Sequence, residues 1–249
     1  MKIRSLYIVL LAGWAGVISC KKDNYSAPSS TLSGHIVYKG EAIGVEYNQV
    51  PLELYQYGFG KVAKIGSFSS IPYNSNGVGN VSNTFAPDGG YSALLFDGSY
   101  KLVIQNDQGP FIWPTTAGGS PDSVAISMKG NQTMDLNVIP YYMIRTPVIT
   151  AAGGNVSAKF KAEKIVTDPA TARDIQSVSL FISKTEFPSS DVNNGRSDLN
   201  GAAIADPNNI SLNVAIPANF GQNYLFARVA IQIAGREDRI LSPLQKLSF

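Results

Sequence analysis

YSALLFDGSYKLVI, residues 91–104, is the stretch whose reading decides the fold. Asp97-Gly98 is a favoured two-residue turn between antiparallel strands, because such turns need positive φ and Gly and Asp tolerate it. Counting outward from it sets Leu95 opposite Tyr100, Ala93 opposite Leu102 and Tyr91 opposite Ile104, all apolar. Leu94–Lys101 and Ser92–Val103 fall on a second, mixed face. Side chains alternate across a strand, so turn and pattern agree on one register with one buried face. The stretch predicts a β-hairpin.

The same period-two pattern extends in both directions. Leu32, Ile36 and Tyr38 share a face around Gly34, and Val50, Leu52 and Leu54 alternate with Pro51, Glu53 and Tyr55. Val124, Ile126 and Met128 lead into a Gly130-Asn131 turn, from which Met134, Leu136 and Val138 emerge. After IPYYMIRTP, residues 139–147, the pattern restarts with Val156, Ala158, Phe160 and Ala162, then Val178, Leu180 and Ile182, then Ile210, Leu212 and Val214. Leu225 to Ile233 reads as the longest strand, and Leu241–Leu247 as an edge piece, where Pro243 costs no ladder hydrogen bond. No window sustains a helical i, i+3, i+4, i+7 apolar stripe over three turns. The chain is therefore read as all-β, with two β-sandwich domains in tandem. The first covers 31–145 and the second, Ig- or fibronectin-like, covers 146–249, with the boundary near Thr146-Pro147. Gly58–Gly90 and Lys184–Asn209 read as long loops.

The beginning of the chain has another character. Lys2 and Arg4 precede an uncharged run from Leu6 to Ile18, and Cys20, the only cysteine, ends it. The run is shorter than the roughly 20 apolar residues that span a bilayer, and has the length of a secretory h-region. Val17-Ile18-Ser19-Cys20 resembles a bacterial lipobox. Residues 1–19 are thus expected to be a lipoprotein signal peptide and Cys20 the lipidated residue, with 20–30 a flexible tether. Two or more acyl chains on Cys20 anchor stably where one is marginal. The expected first partner is outer-membrane lipid, reached through acylated Cys20.

Charge narrows the remaining partners. The full sequence carries 20 basic and 18 acidic residues, and loss of Lys2 and Arg4 leaves 18 of each. A neutral body without a basic stripe argues against nucleic acid.

Catalytic constellations are sparse. His35 is the only histidine, so no histidine-rich metal site exists, and a Ser-His-Asp triad would depend on a residue read as lying on a strand's outer face. No Gly-rich phosphate loop joins a strand to a helix. Asp191–Asp198, DVNNGRSD, comes nearest to calcium-loop spacing but lacks the acidic twelfth ligand. Glu41, Glu46, Glu53, Asp107, Asp122, Asp174 and Glu237 are the carboxylates a glycosidase could draw on, though most fall in turns or on solvent faces. The reading is a non-enzyme with no catalytic residues, no cofactor and no metal.

Saccharide binding needs aromatic faces for C–H surfaces and amides for hydroxyls. QNDQGPFIWPTTAGG, residues 105–119, offers both, with Phe111 and Trp113 beside Asn106 and Gln108, and Tyr57 on a neighbouring strand. These five are the candidate ligand-binding residues. The alternative is that the rings cap the first sandwich or fill the junction between domains, where Tyr141 and Tyr142 also lie.

TLSGHIVYKGEAIGVEYNQVPLELYQYG (31–58) and DGGYSALLFDGSYKLVI (88–104) resemble carboxypeptidase-regulatory-like, transthyretin-like sandwich domains. CKKDNYSAPSSTLSG, GPFIWP, VIPYYMIR and YLFARVAIQIAG resemble a family of two-domain Bacteroidota lipoproteins encoded beside Sus-type glycan importers. Ser67–Asn83 looks like an insertion relative to that family. The resemblance implies a lipid-anchored protein of the outer membrane, exposed at the cell surface, that assists saccharide binding or uptake with importer components. The competing expectation is a structural or adhesion lipoprotein that binds protein.

Overall fold

The computed structural model describes residues 27–46, 50, 52–58, 61–68, 85–236 and 238–249. Cys20 and the signal peptide lie outside the described residues, as does all of the Ser67–Asn83 insertion beyond Ser67 and Phe68.

The first domain begins with β1 (Ser30–Tyr38), which turns back into the short β2 (Glu41–Ala42) and β3 (Gly44–Val45). β4 (Leu52–Gly58) and β5 (Lys61–Phe68) follow as an antiparallel pair. β6 (Gly90–Leu95), β7 (Gly98–Val103), β8 (Phe111–Ile112) and β9 (Val124–Met128) come next. The short β10 (Gln132–Thr133), β11 (Leu136–Asn137) and β12 (Ile139–Pro140) complete it. β1 is the hub of one sheet, antiparallel to β2 and β6 and parallel to β10 and β11. The facing sheet runs β5-β4-β7-β9.

This arrangement corrects the expected hairpin. β6 pairs with β1, from Ser30–Leu95 to His35–Gly90, whereas β7 pairs with β4 and β9. Asp97-Gly98 therefore carries the chain from one sheet to the other. Tyr91, Ala93, Leu95, Tyr100, Leu102 and Ile104 are all buried, as their alternation requires, but they belong to two facing layers. An apolar period of two states which face is covered and leaves the neighbouring strand unspecified. The Gly130-Asn131 turn behaves likewise, since β9 lies in one sheet and β10 and β11 in the other. The Asp97 carboxylate laces the two crossings together, accepting from the Ser30 hydroxyl and from the Gly130 N–H at 3.0 Å.

The second domain comprises β13 (Tyr142–Ala152), β14 (Asn155–Lys164), β15 (Ile175–Ser183), β16 (Gly195–Asn200), β17 (Ile210–Ala215), β18 (Tyr224–Ile233), β19 (Arg239–Leu241) and β20 (Gln245–Ser248). One sheet is β13-β14-β17; the other runs β16-β15-β18, with both β19 and β20 on the far edge of β18. Gly153 and Gly154, at φ 57° and 76°, make the tight turn between β13 and β14. Thr146-Pro147 sits within β13, where the register slips between Arg145 and Val148 and Thr146 takes φ 47°. Proline has no N–H for a ladder, so a bulge accommodates it.

Both expected loops contain regular structure. β5 occupies part of Gly58–Gly90, and β16 with a single 3-10 turn at Gly201–Ala203 occupies part of Lys184–Asn209.

The domains are joined by more than the linker. β3 of the first domain pairs with β19 of the second, Val45 opposite Ile240, so the second domain's sheet ends in a strand of the first. Beside it the buried Glu46 carboxylate meets Arg239 at 2.7 Å and accepts the Ser190 N–H at 2.6 Å. Phe181, Ala230 and Leu241 form a small apolar cluster separate from the main core.

A cleft at the domain junction

The segment after β7 makes a tight loop before β8. Asp107 and Gly109 take φ 67° and 80°, and a Cβ on Gly109 would sit 2.7 Å from the Phe111 ring. Second-domain residues fix this loop. Buried Asp238 accepts the Gly109 N–H at 2.9 Å. Arg236 pairs with the Asp107 carboxylate at 2.5 Å and donates to the Asp107 carbonyl at 3.2 Å. It also donates to the Tyr141 hydroxyl at 3.1 Å. Burial alone would lower the Arg236 pKa, but its bonds to Tyr141 and Asp107 outweigh that and raise it. The Arg173 and Arg236 guanidiniums lie 5.8 and 5.7 Å from the centre of the Tyr141 ring, within cation–π range.

These elements enclose a cleft of about 440 Å³, whose walls include Gln105, Asn106, Gln108, Tyr141, Arg173 and Arg236. That volume suits a small ligand. Beneath it, buried Glu53 accepts from the Gln105 amide and, at 2.6 Å, from Tyr55. The hydrogen bond to Glu53, then burial and the Glu53 charge, push the Tyr55 phenol up to about 12. Asn106 donates to the Gly119 carbonyl at 2.8 Å, which holds its amide at the rim.

The cleft collects four of the five sequence candidates in altered roles. Asn106 and Gln108 stand at its surface. Trp113 and Phe111 also border it, but they are 5% and 2% exposed, and the Trp113 indole donates to the Asp122 carbonyl at 2.8 Å. They form a buried wall and offer no open face for stacking, which corrects their expected part. Tyr57 is not brought to this site. Glu53 lies opposite Val103 and Gln56 opposite Tyr100, so β4 carries Tyr57 toward the Gly98 end of the sandwich, away from Gln105.

Arg173 and Arg236 escaped sequence reading. Each sits in a turn next to a strand end, TARD and AGRED, where no periodicity marks it. The fold alone brings both to Tyr141. A second cavity, about 830 Å³, opens in the second domain between Tyr142, Lys164, Asp174, Gln176, Asn200 and Asn208. The two are adjacent, for the Tyr142 hydroxyl of one donates to the Arg173 carbonyl of the other at 3.1 Å. Burial raises the Tyr142 phenol.

The carboxylates singled out as possible catalysts are mostly engaged. Glu41 pairs with Arg145, Asp174 with Lys164 at 3.5 Å, and Asp122 accepts the Ser123 N–H at 2.7 Å. Glu237 lies outside the described residues. Asp198, in the calcium-like segment, accepts from Ser179 at 2.6 Å and doubly from Arg196 at 2.8 Å. Burial pushes its carboxyl up, but these bonds leave it lowered. Among the described residues no three His, Cys, Asp or Glu side chains stand together as a metal site.

Comparison with known proteins gives a family. Residues 30–139 match the N-terminal domain of a protein family of unknown function, DUF3823, and residues 142–246 match the domain DUF3823_C. No curated protein matches the chain. A DUF3823 family protein from Parabacteroides merdae is 30% identical over 90% of this chain and 100% of its own, with a TM-score of 0.72. One from Bacteroides ovatus is 23% identical over 89% and 99%, with a TM-score of 0.69. A Bacteroides uniformis structure named "putative carbohydrate binding protein" shares the fold at 17% identity over 89% and 100%, with a TM-score of 0.62. With both domain models and a 30% identical relative spanning the fold, the chain belongs to the DUF3823 family.

Proposed function

We propose that this protein is a lipid-anchored, non-catalytic protein of the outer-membrane surface that binds saccharide at the domain junction and assists a Sus-type importer. The observation that carries the reading is the cleft itself. It is walled by amides and guanidiniums on two domains, donors and acceptors suited to hydroxyls, and buried Asp238 fixes its loop to the second domain. The name of the Bacteroides uniformis fold relative supports the ligand class. The lipobox ending at Cys20 supports the anchor.

Full-length protein in detergent, titrated with plant and host polysaccharides, tests the binding. Binding that weakens when Asn106 and Gln108 are changed to Ala supports it, and absence of binding across the panel defeats it. Metabolic labelling with palmitate tests the anchor: label on the wild type and none on Cys20→Ser is expected. Protease shaving of intact cells tests exposure, and complete resistance refutes a surface location.

A second reading, binding of a protein partner, is favoured by one observation. Phe187 and Val192, in the segment between β15 and β16, are 58% and 43% exposed. Co-purification with an envelope protein, lost in Phe187→Ser, together with no saccharide affinity, would establish it instead.

A further inference from the structure

Resting on the saccharide reading, we infer that the junction cleft selects sugars with an anionic substituent, a carboxylate or a sulfate, and that Arg173 is the residue that receives it. The charges in the cleft are unequal. Arg236 is spent on Asp107, with which it makes an ion pair at 2.5 Å, and on the Tyr141 hydroxyl. Arg173 has no such commitment. Its two hydrogen bonds go to neutral oxygens and are long, 3.4 Å to the Tyr141 hydroxyl and 3.5 Å to the Ala234 carbonyl. Among the described residues no carboxylate lies within 4.0 Å of it.

Its neighbour in sequence, Asp174, is turned to Lys164 in the adjoining cavity. Among the described residues the ionised side chains lining the cleft are Arg173, Arg236 and Asp107, two positive charges against one negative, with the amides of Gln105, Asn106 and Gln108 around them and the buried carboxylates of Glu53 and Asp238 engaged by Gln105 and Gly109. Arg173 is half-buried and stands among the residues that line the cleft. The Tyr141 ring, 5.8 Å from the guanidinium carbon, and the Tyr141 hydroxyl limit the side chain's freedom and so reduce what is lost on binding. A planar guanidinium with no carboxylate partner among the described residues matches the two oxygens of a carboxylate or sulfate, and its neutral acceptors are displaced at little cost. A neutral sugar leaves this donor fork no better satisfied than before.

The test is a matched comparison on full-length protein in detergent. Oligogalacturonate is titrated against its methyl ester, and a carrageenan oligosaccharide against its desulfated form. The expected result is that one charged probe binds at least about tenfold tighter than its neutral twin, since a charge-assisted pair supports that ratio. The preference should collapse in Arg173→Gln and partly survive in Arg173→Lys. Which probe shows it distinguishes carboxylate from sulfate. Equal affinity for charged and neutral twins overturns the inference and leaves the saccharide reading intact. No binding of any probe, with the polysaccharide panel also negative, removes both. The wild-type comparison decides the matter even where the Arg173 variants fold poorly.

Discussion

The Asp97 carboxylate accepts the backbone N–H of Gly130 at 3.0 Å, binding together two of the turns at which the first domain's chain changes sheets. Its bond from Ser30 and then that from Gly130 hold its carboxyl below the usual range. A carboxyl depressed in the folded state contributes stability above its unfolded pKa, about 3.9, and loses it as pH falls through the folded value. Asp97→Ala is expected to lower Tm by several degrees at pH 7. The gap to wild type should close below about pH 4, read from thermal melts across that range. A gap that persists in strong acid would show that the carboxylate is not the stabilising form.

Glu46 and Arg239 form a pair with little exposure across the domain boundary, their side chains 2% and 13% exposed. Removing one partner of such a pair strands a charge. Glu46→Ala should destabilise the protein by about 3 kcal/mol, seen as a lower urea midpoint. Replacing Glu46 and Arg239 together with Met should cost clearly less. A double variant as unstable as Glu46→Ala would assign the loss to Glu46's bond from Ser190.

Trp113 and Asn106 border one cleft but differ in burial, so their variants should separate stability from binding. Trp113→Ala removes a buried indole and should cost about 3–5 kcal/mol. Asn106 is exposed, so Asn106→Ala should leave Tm within about a degree, since surface changes shift stability by about 0.5 kcal/mol or less. Its saccharide affinity should fall nevertheless. A large Tm loss in Asn106→Ala would mean that its bond to Gly119 is structural.

Gly109 cannot carry a side chain without strain. At φ 80° an added Cβ is disfavoured by the backbone and meets the Phe111 ring at 2.7 Å. Gly109→Ala should cost more than about 1 kcal/mol by chemical denaturation. It should also weaken ligand binding, because the displaced loop carries Gln105 to Gln108.

Much of the fold is written in period-two alternation, and Tyr91, Leu102, Val156 and Leu225 are all buried as that pattern requires. Partnership was not legible, because the signal that covers Leu95 and Tyr100 is the same for neighbours in one sheet and for opposing layers. β5 escaped notice because Leu54 faces Gly66 while Tyr55 faces Lys64, a bulge at Ile65 that breaks the alternation. Among the described strands β16 pairs only with β15, and Leu199 is its single large apolar residue, so no apolar alternation announces it. The amides of the cleft were visible as a cluster in sequence. Its arginines were not, because Arg173 and Arg236 lie 63 positions apart and meet only through Tyr141.

The strand that the first domain lends to the second has a consequence for how this chain can be divided. Cut at the linker, the C-terminal half would keep β19 but lose β3, leaving peptide groups at Ile240 and Leu241 without their partners. Such a bare edge invites pairing with another copy. The first half, though a separate sequence module, thus supplies the selvedge that covers this edge of the other.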